Sequence, residues 1–78
     1  MKGQDKLEEA KLYFLKAIEL NPESADAFSN LGTIFKDQGN YKEAEKYTQK
    51  AIKLKPDFAE AYSNLGTILR DMGNLKEA

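Results

Sequence analysis

The chain contains no cysteine and no histidine. The first absence excludes disulfides and thiolate metal sites. The second removes the side chain most used as a general base and as a zinc ligand. Charge of one sign is also lacking: 12 Lys and Arg against 13 Asp and Glu leave a net charge of −1. That balance gives none of the basic footprint that nucleic acid demands. No apolar run approaches the ~20 residues needed to cross a bilayer. The opening Met-Lys-Gly-Gln-Asp-Lys has no apolar segment behind it and does not read as a secretory signal. With 78 residues the chain has room for one small domain, and a compact core of that size buries only about 60% of the unfolded surface. What remains is a soluble chain expected in the cytoplasm, with no nucleic-acid or membrane partner, no metal site and no cofactor.

What is present is a repeat. Ala25 to Ala44 reads A-D-A-F-S-N-L-G-T-I-F-K-D-Q-G-N-Y-K-E-A, and Ala59 to Ala78 reads A-E-A-Y-S-N-L-G-T-I-L-R-D-M-G-N-L-K-E-A. Asn30 recurs as Asn64, 34 residues on. A fixed period of this size marks stacked supersecondary units. Lys16 to Glu23, K-A-I-E-L-N-P-E, matches Lys50 to Asp57, K-A-I-K-L-K-P-D, at the same offset. Asp5 and Lys6 stand where Gly39 and Asn40 would fall. The repeat is therefore expected to be cut out of phase: the second helix of a partial repeat over 5–22, a complete repeat over 23–56, and a first helix with the start of a second over 57–78.

The elements follow from spacing and punctuation. Leu7, Ala10, Phe14, Ala17 and Ile18 lie at helical spacing and predict a helix over about Lys6 to Leu20, opened by an Asp5–Glu8 capping box and ended by Asn21-Pro22. A second helix, about Ser24 to Gln38, has Ala27, Phe28, Leu31, Ile34 and Phe35 on its apolar face, with Gly39 as its stop. Asn40 with Glu43 is expected to cap a third helix, to about Leu54, with Ala44, Tyr47, Ala51, Ile52 and Leu54 inward. Lys55-Pro56 ends it. Asp57 with Glu60 is expected to open a fourth helix to about Met72. Gly73-Asn74 then repeats the stop and cap, leaving Leu75 to Ala78 as the first turn of a fifth. Gly32 and Gly66 sit inside helices, where glycine costs about 1 kcal/mol relative to alanine. Their presence at equivalent places suggests close helix approach.

The ordered set Phe28, Leu31-Gly32, Phe35, Ala44, Ala51 and Pro56 resembles the tetratricopeptide repeat, and the resemblance covers nearly the whole chain. Thr48 departs from it, since the family usually has an aromatic there. Phe14 supplies that aromatic in the first copy, and Tyr47 is placed to compensate in the next. The N-L-G wording is particularly similar to repeats in the arm of O-linked N-acetylglucosamine transferases and related bacterial proteins. The resemblance implies an all-α, open right-handed superhelical array of antiparallel helix hairpins, an α-solenoid, whose first helices line a concave groove.

No nucleophile–base pair or phosphate loop can be assembled from the sequence, so the chain is not expected to be an enzyme. Its expected function is protein–protein interaction, with a protein or peptide as partner. The implied groove lining is Asp26, Ser29, Asn30, Thr33, Lys36 and Asp37 from one copy, and Glu60, Ser63, Asn64, Thr67, Arg70 and Asp71 from the next. An asparagine amide both donates and accepts, so it can pair with a peptide backbone whatever the side chains. In the transferase arm, matching asparagines hold extended peptide, and Asn30 and Asn64 correspond to them here. A solvated face repeated by duplication would read the same way. Chaperone-tail binders of this fold hold a terminal carboxylate with a basic cluster. Here Ser29, Thr33 and Glu60 stand at key places in that cluster, and Glu60 would repel the carboxylate. Two further readings concern partners. The chain could be the non-catalytic, substrate-presenting arm of a larger enzyme such as a glycosyltransferase. It could also stack head-to-tail with itself, a homo-oligomer burying Leu7, Phe14, Leu65 and Leu69. Leu12 and Leu15 replace the polar Lys46 and Gln49 and could mark a contact, although single exposed leucines are ordinary.

Overall fold

A computed structural model describes the backbone of residues 2–77 and the side chains of residues 6–73. The chain forms four α-helices and, among the described residues, no strand: α1 (Lys2–Leu20), α2 (Ala25–Asp37), α3 (Tyr41–Leu54) and α4 (Ala59–Glu77). Among the described residues α2 touches each of the other three, α3 also touches α4, and α1 touches α2 alone. The Cα envelope measures 40 × 35 × 16 Å, a thin slab rather than a ball.

The most apolar helix occupies the centre. Ala27, Phe28, Leu31, Ile34 and Phe35 of α2 are all buried, as their spacing predicts. Leu31 and Phe35 pack with Ala44 of α3 and Ile68 of α4, and Phe14, Leu15 and Ile18 of α1 close that cluster from the other side. A second cluster joins Phe28, Ala51 and Ala61, with Phe58 and Leu54 at its margin. Leu15, expected to stand exposed, is thus drawn partly into the core, whereas Leu12 remains exposed.

α2 and α3 approach closely because small residues face each other. Ala44 and Ala51 are fully buried. A Cβ placed on Gly32 would collide with Thr48 Oγ1 and come within 3.2 Å of the Ala44 carbonyl oxygen. Thr48 occupies the site of the missing aromatic, and its buried hydroxyl has no hydrogen-bond partner. Tyr47 supplies the ring instead, stacking on Phe35 at 5.2 Å and on Phe28 at 6.0 Å between centroids. Gly66, the counterpart of Gly32, has nothing within 4 Å of a Cβ position. Its expected close approach is therefore not made: no helix packs on that face of α4.

Helix stops at the prolines lie where predicted. Asn21 N–H closes α1 on the Ala17 carbonyl at 2.8 Å, and Lys55 N–H closes α3 on Ala51 at 2.9 Å. Several caps differ from expectation. α1 already begins at Lys2, so Asp5 lies inside it rather than capping it. Asn40 holds the N-cap position of α3 without a side-chain hydrogen bond, so the box with Glu43 does not form. The turn is closed by backbone: Gly39 N–H donates to Lys36 and Asn40 N–H to Phe35, with Gly39 at φ 79°. α4 begins at Ala59, and the carbonyl of Phe58 accepts from Ala61 and Tyr62, which puts Asp57 one residue too early to cap. Ser24, the counterpart of Phe58, does cap α2, accepting from Ala27 N–H at 3.3 Å.

The largest departure is at Gly73-Asn74. α4 does not stop near Met72 but continues to Glu77, so residues 75–77 end α4 and start no fifth helix; Ala78 lies outside the described residues. Gly39 takes a left-handed conformation because α3 folds back and packs against α2. Nothing described folds back on α4, so Gly73 keeps the helical ladder, which satisfies the same carbonyls without a turn.

Candidate functional site

The face expected to bind is built from α2 and α4, which lie side by side over the core. α4 docks through Ala61 and Ile68, both fully buried and one helical stripe apart. The polar residues of α4 therefore meet those of α2 along a seam. Asn64 Nδ2 donates to Thr33 Oγ1 at 3.1 Å and to Ser29 Oγ at 3.4 Å. Thr33 in turn donates to the Ser29 carbonyl, four residues back, at 3.3 Å. Thr67 makes the same back-bond to Ser63 at 3.2 Å. Each threonine hydroxyl thus keeps its lone pairs turned from its own helix, and at Thr33 the amide of Asn64 uses one of them.

The seam changes the roles expected of three residues. Ser29 is buried at 1% exposure beneath α4 and is not available as groove lining. Asn64 spends its amide nitrogen on α2 and clasps α4 to it. Asn30, its counterpart, is half-buried and makes no hydrogen bond within the described residues. The helical period showed that Ser29, Asn30 and Thr33 share a face; it could not show which of them the neighbouring helix would cover.

The rest of the expected lining is placed on or beside this face. Thr33, Lys36, Thr67 and Asp71 are half-buried, and Asp26, Asp37, Glu60, Ser63 and Arg70 are exposed. Arg70 Nε lies 3.7 Å from Asp71 Oδ1, a loosely held pair of which the arginine is exposed and the carboxylate half-buried. Four carboxylates against two cations give the face an acidic lean. Asp26 and Glu60 sit in the first turns of α2 and α4, where the helix dipole favours negative charge. Among the described residues no group of acidic side chains is arranged to hold a metal ion, and no helix is long and apolar enough to cross a membrane.

Family profiles described as "Tetratricopeptide repeat" match residues 25–58 and 47–78, and one described as "TPR repeat" matches residues 4–39. The chain belongs to the tetratricopeptide-repeat family. No curated protein shows a significant match to it. Tetratricopeptide repeats are typically non-catalytic scaffolds for protein–protein contact, the class of function to which this chain is assigned. The match over residues 25–58 spans α2 and α3.

Sequence reasoning missed Tyr13, Leu20 and Tyr62, all large, apolar and exposed. Of the four residues expected to be partly exposed in a single molecule, Leu69 is exposed and Leu7, Phe14 and Leu65 are half-buried, Phe14 against the α2 cluster. The signal that would have found the others was the repeat itself. Tyr13 and Leu20 are the counterparts of Tyr47 and Leu54, which their spacing places inward on α3.

Proposed function

We propose that the α2–α4 face binds an extended peptide, with Asn30 as its principal backbone contact and the surrounding carboxylates favouring basic side chains. The observation that carries this reading is the contrast between the two asparagines. Asn64 is engaged across the seam, while Asn30 stands half-buried on the same face and its side chain makes no hydrogen bond among the described residues. A planar amide at such a place pairs with a peptide group in either register. The seam bond lowers the cost of binding, because the two helices are already locked in relative position before a ligand arrives. The likeness of the N-L-G wording to the transferase arm points the same way.

The test is a titration of isotope-labelled protein with three unstructured peptides, basic, neutral and acidic, followed by amide chemical shifts. Shifts confined to α2 and α4, strongest with the basic peptide and weakened by Asn30→Ala, are expected. Shifts confined to the outer faces of α1 and α3, or an Asn30→Ala variant of unchanged affinity, would overturn the reading.

A further inference from the structure

Tyr13 and Leu20 on α1 are 72% and 76% exposed, and Tyr62 and Leu69 on α4 are 50% and 47% exposed. Isolated exposed apolar residues are ordinary, but these four are not unrelated. Shifted by one repeat of 34 residues, they become Tyr47, Leu54, Phe28 and Phe35. Those four build the α2–α3 interface. The Tyr47 ring stacks on Phe28 and Phe35, and Leu54 packs against the cluster of Phe28 and Ala51. The exposed set is therefore the same interface divided in two, one half on α1 and the other on α4. Among the described residues, α1 and α4 do not touch within one molecule.

Two further observations fit the halves together. Gly66 faces open space on α4, where its counterpart Gly32 receives Thr48 and the backbone of Ala44. In addition, α1 and α4 are each 19 residues long, against 13 and 14 for α2 and α3. Each overruns at the end where the α2–α3 turn would lie, α4 past Gly73 and α1 ahead of Leu7.

We propose that α4 of one molecule docks on α1 of a second copy in the manner of α2 on α3, with Tyr13 of the second copy seated between Tyr62 and Leu69 of the first. The contact is heterologous: each docking leaves one free α1 face and one free α4 face, so association continues into an open array unless it closes into a ring. The polar α2–α4 face is not consumed, and successive copies extend it.

Sedimentation velocity over a wide concentration range tests the proposal, with Tyr13→Glu to block the α1 face and Leu69→Glu to block the α4 face. Both side chains are exposed in the single molecule, and circular dichroism checks that each variant folds. The wild type is expected to exceed twice the 8.8 kDa chain mass as concentration rises. Each variant alone is expected to remain monomeric. An equimolar mixture is expected to form a dimer and nothing larger, since only one working α4 face and one working α1 face then meet. Leu20→Lys with Tyr62→Lys repeats the mixture at independent positions should either first variant misfold. A variant that still self-associates would mean an isologous contact and overturn the proposal, as would a mixture that stays monomeric. A folded, monomeric wild type that gains stability only when a further repeat is fused after residue 78 would assign the α4 face to a neighbour in the same polypeptide, and would likewise overturn it.

Discussion

At the scale of single residues, the helical glycines Gly32 and Gly66 are identical in sequence setting and opposite in consequence. Gly32→Ala puts a methyl group into Thr48 and against a backbone carbonyl. Overpacking of this kind costs about 1–3 kcal/mol, more than the roughly 1 kcal/mol that alanine returns in helix propensity. Gly66→Ala meets only open space and keeps the whole propensity gain. Thermal unfolding at low protein concentration is therefore expected to show Gly32→Ala melting below, and Gly66→Ala above, the wild type. Thr48 gives a second expectation. Its buried hydroxyl is unpaired, and an unsatisfied buried polar group costs about 1–3 kcal/mol. Thr48→Val keeps the shape and removes the hydroxyl, and denaturant titration is expected to show a gain of about 1 kcal/mol.

At the scale of helices, docking is what the sequence left open. The helix interiors were legible because apolar spacing and the two prolines act within one segment. The closing device at Asn40, the burial of Ser29 and the straight run through Gly73 were not, because each depends on what packs alongside. Asn64 makes the point measurable. Its two bonds cross from α4 to α2, so Asn64→Ala is expected to destabilise by about 1 kcal/mol, while Asn30→Ala leaves stability unchanged; urea unfolding of the two variants separates them. The α1–α2 contact carries a pH dependence. The Glu8 carboxylate is held below its ordinary value of 4.5, first by the hydrogen bond from Lys11, against a desolvation that opposes it, with further help from the Lys11 charge and from Gln38, the C-cap of α2. A depressed folded value means that the contribution is present above the unfolded value and lost as pH falls through the folded one. The difference in melting temperature between wild type and Glu8→Gln is accordingly expected to be small, and to close as pH falls from neutral to below the ordinary carboxylate range.

At the scale of the molecule, stability in such an array is a sum of neighbour contacts rather than the property of one core. α2 is packed on three sides and α1 on one. Native-state hydrogen exchange is expected to show the slowest amides between Leu31 and Phe35 and earlier opening throughout α1; uniform protection across the helices would contradict this. The uninterrupted helix at Gly73 has a consequence for the order of events during synthesis. A chain leaving the ribosome exposes α2 before the residues of α3 exist, so the face of Gly32 and Phe35 is then as bare as that of Gly66 and Leu69. Under that condition Gly39-Asn40, the same dipeptide as Gly73-Asn74, is expected to stay helical and to bend only once α3 packs; amide exchange on a chain truncated after Asn40 tests this, and a left-handed Gly39 there would contradict it.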